Sequence, residues 1–134
     1  MSKTIRILAV PSMVLVIGCA SGPSGQVFES PLGEWSETHE LKSGRTKTVK
    51  LVITDKTRGM DSKGAMLEIF SADDDHMWKA YWILESGIYP CSEKKQGSPY
   101  WGEEVFNFNE TFNQYTGTWN SCGAGQEYWT RGVR

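Results

Sequence analysis

The chain is 134 residues long, with 14 Lys+Arg against 16 Asp+Glu and a formal net charge of −2. Its charges are interspersed, without the basic clustering of a nucleic-acid surface, and its length fits one small domain. Six Trp, five Tyr and five Phe favour strands and supply large-area core side chains.

The first predicted element is a leader. Lys3 and Arg6 flank the start of an almost wholly apolar run over 7–18 (ILAVPSMVLVIG). That is the length of an export-signal core and short of the about 20 residues that span a bilayer. The run ends in Val16-Ile17-Gly18-Cys19, followed by Ala20. This stretch resembles the lipobox of bacterial lipoproteins: an aliphatic residue, a small or aliphatic residue, Gly or Ala, then Cys. Leu is commonest where Val16 stands. The resemblance implies lipid transfer to the Cys19 sulfur, cleavage before Cys19 and acylation of the new amino terminus. Several acyl chains anchor stably where one does not, each buried CH₂ adding roughly 0.8 kcal/mol. Ala20 in place of Asp implies an outer-membrane anchor facing the periplasm. An ordinary cleaved signal with an incidental cysteine is the plainer alternative.

Removal of residues 1–18 leaves 116 residues with 12 Lys+Arg and 16 Asp+Glu, a formal charge of −4. Residues 19–26 hold Cys19 and a Gly/Ser/Pro-rich tether, and residues 27–134 form a single domain. Setting Cys19 aside, Cys91 and Cys122 are an even pair in an exported chain, which predicts a disulfide. Its loop of about 30 residues would contribute roughly 3 kcal/mol. Two separated free thiols are the alternative. No CxxC or clustered His accompanies them, so no metal site is assigned.

Within the domain, 33–41 (GEWSETHEL) alternates as a first strand, with Trp35, Glu37 and His39 on one face. The stretch 46–54 (TKTVKLVIT) is the clearest strand, with Val49, Leu51 and Ile53 pointing one way. Residues 55–64 read as a polar loop, and 65–70 as a third strand with Leu67 and Ile69 inward. In 76–85, Trp78, Ala80, Trp82 and Leu84 share one face, and Met77, Lys79, Tyr81 and Ile83 the other. An irregular stretch over 87–99 holds Cys91. Strands follow at 100–109, 110–120 and 126–133. Seven or eight short strands without a convincing amphipathic helix predict an all-β fold: a small antiparallel β-barrel, with a β-sandwich as the alternative. Barrel closure would remove exposed edges.

Gly33-Glu34-Trp35 opening the first strand, with Arg131 on the last, resembles a feature of calycin barrels (lipocalins and relatives). There a Gly-x-Trp begins the first strand, and an arginine from the chain end packs across the indole. The resemblance implies a structural closure role for Gly33, Trp35 and Arg131, with a cation–π contribution of roughly 0.5–2 kcal/mol. It rests on three residues and one arginine, and Gly117-Thr118-Trp119 repeats the Gly-x-Trp pattern.

Catalytic signatures are missing. His39 and His76 are the only histidines, and no Gly-x-Ser-x-Gly accompanies them. Adjacent carboxylates such as Glu103-Glu104 point to opposite faces of a strand, and Glu34/Glu37 are equally unprepared for acid–base work; a solvated face is the plainer reading. Asp73-Asp74-Asp75-His76 lacks the ligand spacing and Gly of a calcium loop. Asn109-Glu110-Thr111 fits a glycosylation pattern that a bacterial lipoprotein does not use. Trp78, Tyr81, Trp82, Tyr100 and Trp101 are more aromatic residues than one inward face can take, so some should line a rim, pocket or interface. The expectation is a non-enzymatic, membrane-anchored envelope lipoprotein without cofactor. Its small barrel would bind a partner protein or a small apolar or saccharide ligand; the alternative is an inhibitor or accessory factor of a periplasmic or secreted enzyme. A ligand binder should contain an apolar pocket of some hundreds of Å³ open at one end. An inhibitor should have a filled core and act through an exposed loop such as 87–97.

Overall fold

Period-2 alternation places one side-chain set of each strand on a common face, and pairing the last strand with the first turns that face into an enclosed core. A computed structural model describes residues 25–134. The leader over 1–18, Cys19 and the tether up to residue 24 lie outside the described residues.

Eight strands follow in order: β1 Gly33–Glu40, β2 Thr46–Asp55, β3 Arg58–Asp61, β4 Met66–Asp74, β5 Met77–Leu84, β6 Tyr100–Phe108, β7 Gln114–Ser121 and β8 Ala124–Val133. Each pairs antiparallel with its neighbour in sequence, and β8 pairs with β1, so the sheet is a closed up-and-down barrel. That closure excludes the sandwich. Register brings Trp35 opposite Leu51, Leu67 opposite Trp82, Trp78 opposite Phe106, and Phe108 opposite Tyr115. These inward residues form the buried core, with Ile53, Ile69 and Ala80.

Two predicted elements differ. β3 lies in the stretch read as a polar loop. Its four residues (RGMD) carry no apolar alternation, because the inward residue opposite Ile53 and Leu67 is Gly59. A side chain on Gly59 would meet the Val52 carbonyl at 2.7 Å, so the strand passes close to its neighbour and shows no hydrophobic signature. The strand read over 110–120 begins only at Gln114. Before it, Asn109 Oδ1 accepts from the backbone N–H groups of Asn113 and Gln114, at 3.1 Å each, and this folds 109–113 into a turn.

The N-terminal end of β1 marks the closed end of the barrel. Trp35 is buried against Phe108 and Tyr115, with ring centroids 5.6 and 4.9 Å away, and its indole N–H donates to the Pro31 carbonyl at 2.8 Å. The Arg134 guanidinium sits 3.9 Å from the Phe28 ring and 4.0 Å from the Trp35 ring. It donates to the Phe112 and Leu32 carbonyls, at 2.7 Å each, and to the Ser30 carbonyl. Burial pulls its pKa down to about 10, so it is still a cation at neutral pH. Arg131, the residue expected in this place, instead lies over Trp129 at 5.4 Å. Thr130 and Gly132 face the core, so alternation turns Arg131 outward, and the first residue past β8 reaches the indole instead.

At the other end, Cys91 and Cys122 form a disulfide with a Cα–Cα distance of 5.5 Å, which ties the long β5–β6 connection to the β7–β8 turn. Replacing both cysteines with Ser is expected to lower unfolding stability by about 3 kcal/mol while the barrel still forms. The reading is the guanidinium midpoint of the double variant against wild type, and reductant should shift wild type to the variant's value. Equal midpoints would show that the loop is held without the bond.

Candidate functional site

The upper half of the barrel is not filled. Trp35, Phe106, Phe108, Phe112 and Tyr115 pack the closed half. Above them is a cavity of about 240 Å³, lined by residues from β1 to β7 and opening between the hairpin turns. Its apolar wall is Leu51, Leu67, Trp82, Leu84 and Trp119, and its rim carries His39, Lys47, Asp61 and Lys63.

The aromatic wall is fixed by its polar atoms. The Trp82 indole N–H donates to the Asn120 carbonyl at 3.0 Å, and that of Trp119 donates to the Glu40 carbonyl at 2.8 Å. Gly102, opposite Trp82 in the register, leaves room for the indole to lie across β6: a side chain there would meet that ring at 2.4 Å. Trp119 is stacked on Tyr128 with centroids 4.7 Å apart and meets Trp82 edge-on at 5.9 Å. Indole N–H groups tied to backbone leave the rings little rotational freedom, which presets the wall.

The floor is polar. Glu37 from β1 and Glu104 from β6 both point into the barrel and are buried. The Tyr115 hydroxyl donates to Glu37 Oε2, and His39 Nδ1 lies 3.6 Å from Glu37 Oε1. Loss of water pushes the Glu104 carboxyl well above the ordinary range; the Glu37 charge beside it pushes the same way, and the Thr130 hydroxyl opposes them. Burial, with the charges of Glu37 and Glu104, also raises the Tyr115 phenol, which stays a neutral donor. The arrangement is two buried carboxyl groups side by side, Glu37 accepting from the Tyr115 hydroxyl and Glu104 holding its proton more tightly than an ordinary carboxyl.

The structure separates the predicted aromatic surface. Trp78 is in the closed core and Trp82 lines the cavity. Tyr81 and Trp101 point away from the barrel interior and meet edge-on at 5.7 Å, with Lys95 of the β5–β6 connection over both rings; Trp101 is buried beneath that connection, its indole N–H donating to the Glu93 carbonyl at 2.9 Å. Tyr100 is half-buried against Gly87. Only Trp82 of the five reaches the cavity. His76 stacks on Phe112 at 4.8 Å at the closed end, and its backbone N–H donates to Asp74. Glu34 is exposed and pairs with Lys50 at 2.7 Å. Glu37 and Glu104, by contrast, are not the solvated residues expected. Alternation alone gave Glu37 the same face as Trp35, and that inward parity was the available signal. Its meeting with Glu104 depends on barrel closure.

Comparison of the chain with protein-family models, with curated proteins and with solved structures returns no match.

Proposed function

We propose that this protein is an envelope lipoprotein whose calycin-like barrel binds a small ligand. The observation that carries this reading is the half-filled barrel, closed at one end and hollow at the other. Cavities of about 150 Å³ lined by apolar side chains take a single aromatic ring, so about 240 Å³ suits a ligand slightly larger than one ring. The Gly33, Trp35 and Arg134 closure supports the calycin reading, and Pro31 to Gly33 enter at the closed end. An anchor at Cys19 would therefore join the barrel at its closed end, opposite the mouth.

A second reading has its own support. The disulfide-tied β5–β6 connection exposes Ile88 and Tyr89, at 84% and 68%, as an inhibitor or accessory factor would present an apolar contact. Native mass spectrometry of protein purified from membranes separates the two. The expected result is an acylated chain carrying a small-molecule adduct that Ala65→Trp, which fills the mouth, removes and that Ile88→Ser leaves in place. Retention of the adduct in Ala65→Trp, or no adduct together with a protein partner lost in Ile88→Ser, would overturn the pocket reading in favour of the loop.

A further inference from the structure

We propose that the cavity is a site for a small organic ammonium ion bearing about one ring, its cationic head against Glu37 and Glu104 and its apolar part against Trp82 and Trp119. The inference rests on the pocket reading above and adds the ligand's chemistry. Three carboxyl groups converge on this cavity, Glu37, Asp61 and Glu104, and two of them are buried at its floor. The charged and titratable groups facing that floor come from several elements. They are His39 on β1, Lys47 on β2, Asp61 on β3, Lys63 after it, and Tyr115 on β7. Lys47 and Lys63 are exposed at the rim, so their charges are screened by water while the floor carboxyls are not.

A site for a wholly apolar ligand has no use for this floor, because burying carboxyls weakens the fold unless something repays their lost hydration. An ammonium group repays it with charge-assisted hydrogen bonds. Indole rings on the wall suit a cation as well as an apolar ring. Cation binding also favours the ionised form of Glu104, so a proton leaves as the ligand enters. Protonation of Glu104 competes with the ligand, so affinity rises with pH through the raised titration range of Glu104.

The test uses three probes of matched size, namely phenethylammonium, phenethyl alcohol and phenylacetate, titrated calorimetrically into the intact domain. The expected order is ammonium tightest by at least about tenfold, which corresponds to about 1.4 kcal/mol. Its affinity should increase from acidic to neutral pH. Its heat should vary with the ionisation enthalpy of the buffer, reporting proton release. Glu104→Gln, isosteric and uncharged, should remove that proton release and most of the ammonium preference while leaving alcohol binding intact. Glu37→Gln gives an independent check should the first variant fail to fold. Alcohol binding as tightly as ammonium, or phenylacetate binding tightest through the rim lysines, overturns the cation assignment and leaves the pocket reading standing. Binding of none of the three, with no adduct on native protein, overturns both.

Discussion

Replacing Glu104 with Gln is expected to stabilise the unliganded protein at and above neutral pH and to flatten its stability–pH profile. Glu104 is buried beside Glu37, and both the lost hydration and that neighbouring charge raise its pKa above the ordinary carboxylate value. A carboxyl whose pKa is higher folded than unfolded holds its proton more tightly in the native state. Its contribution is then fully present below the unfolded value, about 4.3, and fades as pH rises towards the folded one. In that window the native state binds up to one proton more than the unfolded chain, so stability falls by up to about 1.4 kcal/mol per pH unit. Gln keeps the shape without a titration. Urea midpoints measured across the range from mildly acidic to mildly alkaline pH should therefore decline for wild type and run nearly level for Glu104→Gln. Parallel profiles would show that another group carries the dependence. The cation probe should partly reverse the wild-type decline, because it favours the ionised form of Glu104.

The second large effect lies at the closed end. Trp35→Ala is expected to lower stability by about 3–5 kcal/mol, the range for deleting a buried Trp or Phe. The indole is buried, contacts Phe108 and Tyr115, and satisfies its N–H at Pro31. Arg134→Met should lose less, about 1–3 kcal/mol, since an apolar stem still covers the ring while three carbonyls lose their donor. Arg131→Met should stay within about 0.5 kcal/mol, as for an exposed substitution. Equal losses at Arg131 and Arg134 in urea unfolding would contradict the observed closure. The three variants together separate packing of the indole from its cationic cap.

The polar floor and the aromatic closed end divide the molecule's tasks. Packing in the closed half supplies stability, and the open half carries groups that reduce it. Glu37 and Glu104 are the clearest instance: apolar residues of the same volume would fold more favourably, yet both line the cavity in the open half. Buried titratable groups with a charged neighbour in a cleft make that cleft a functional-site candidate.

Much of this fold is written in local alternation. Trp78, Ala80 and Trp82 share the inward face in the sequence and in the barrel, as do Val49, Leu51 and Ile53, because side-chain direction in a strand depends only on parity. The cysteine pair was equally legible, since setting Cys19 aside leaves two cysteines and no other motif that would use them. β3 was not, because Gly59 replaces the apolar residue that would have signalled it. Arg134 was not, because its role lies past the last strand, where no period applies.

Strand number to within one, the inward face of most strands, the disulfide partners and the all-β class can all be read from the chain without its fold. These are local or arithmetical properties. Which inward residues meet depends on the folded barrel. Glu37 and Glu104 come together because closure and stagger of the sheet set β1 and β6 across the same interior. The same geometry decided that the core fills at one end and stays hollow at the other. A side chain's direction is set by its neighbours in the chain, but its partner across a barrel is set by the shear of every strand between them.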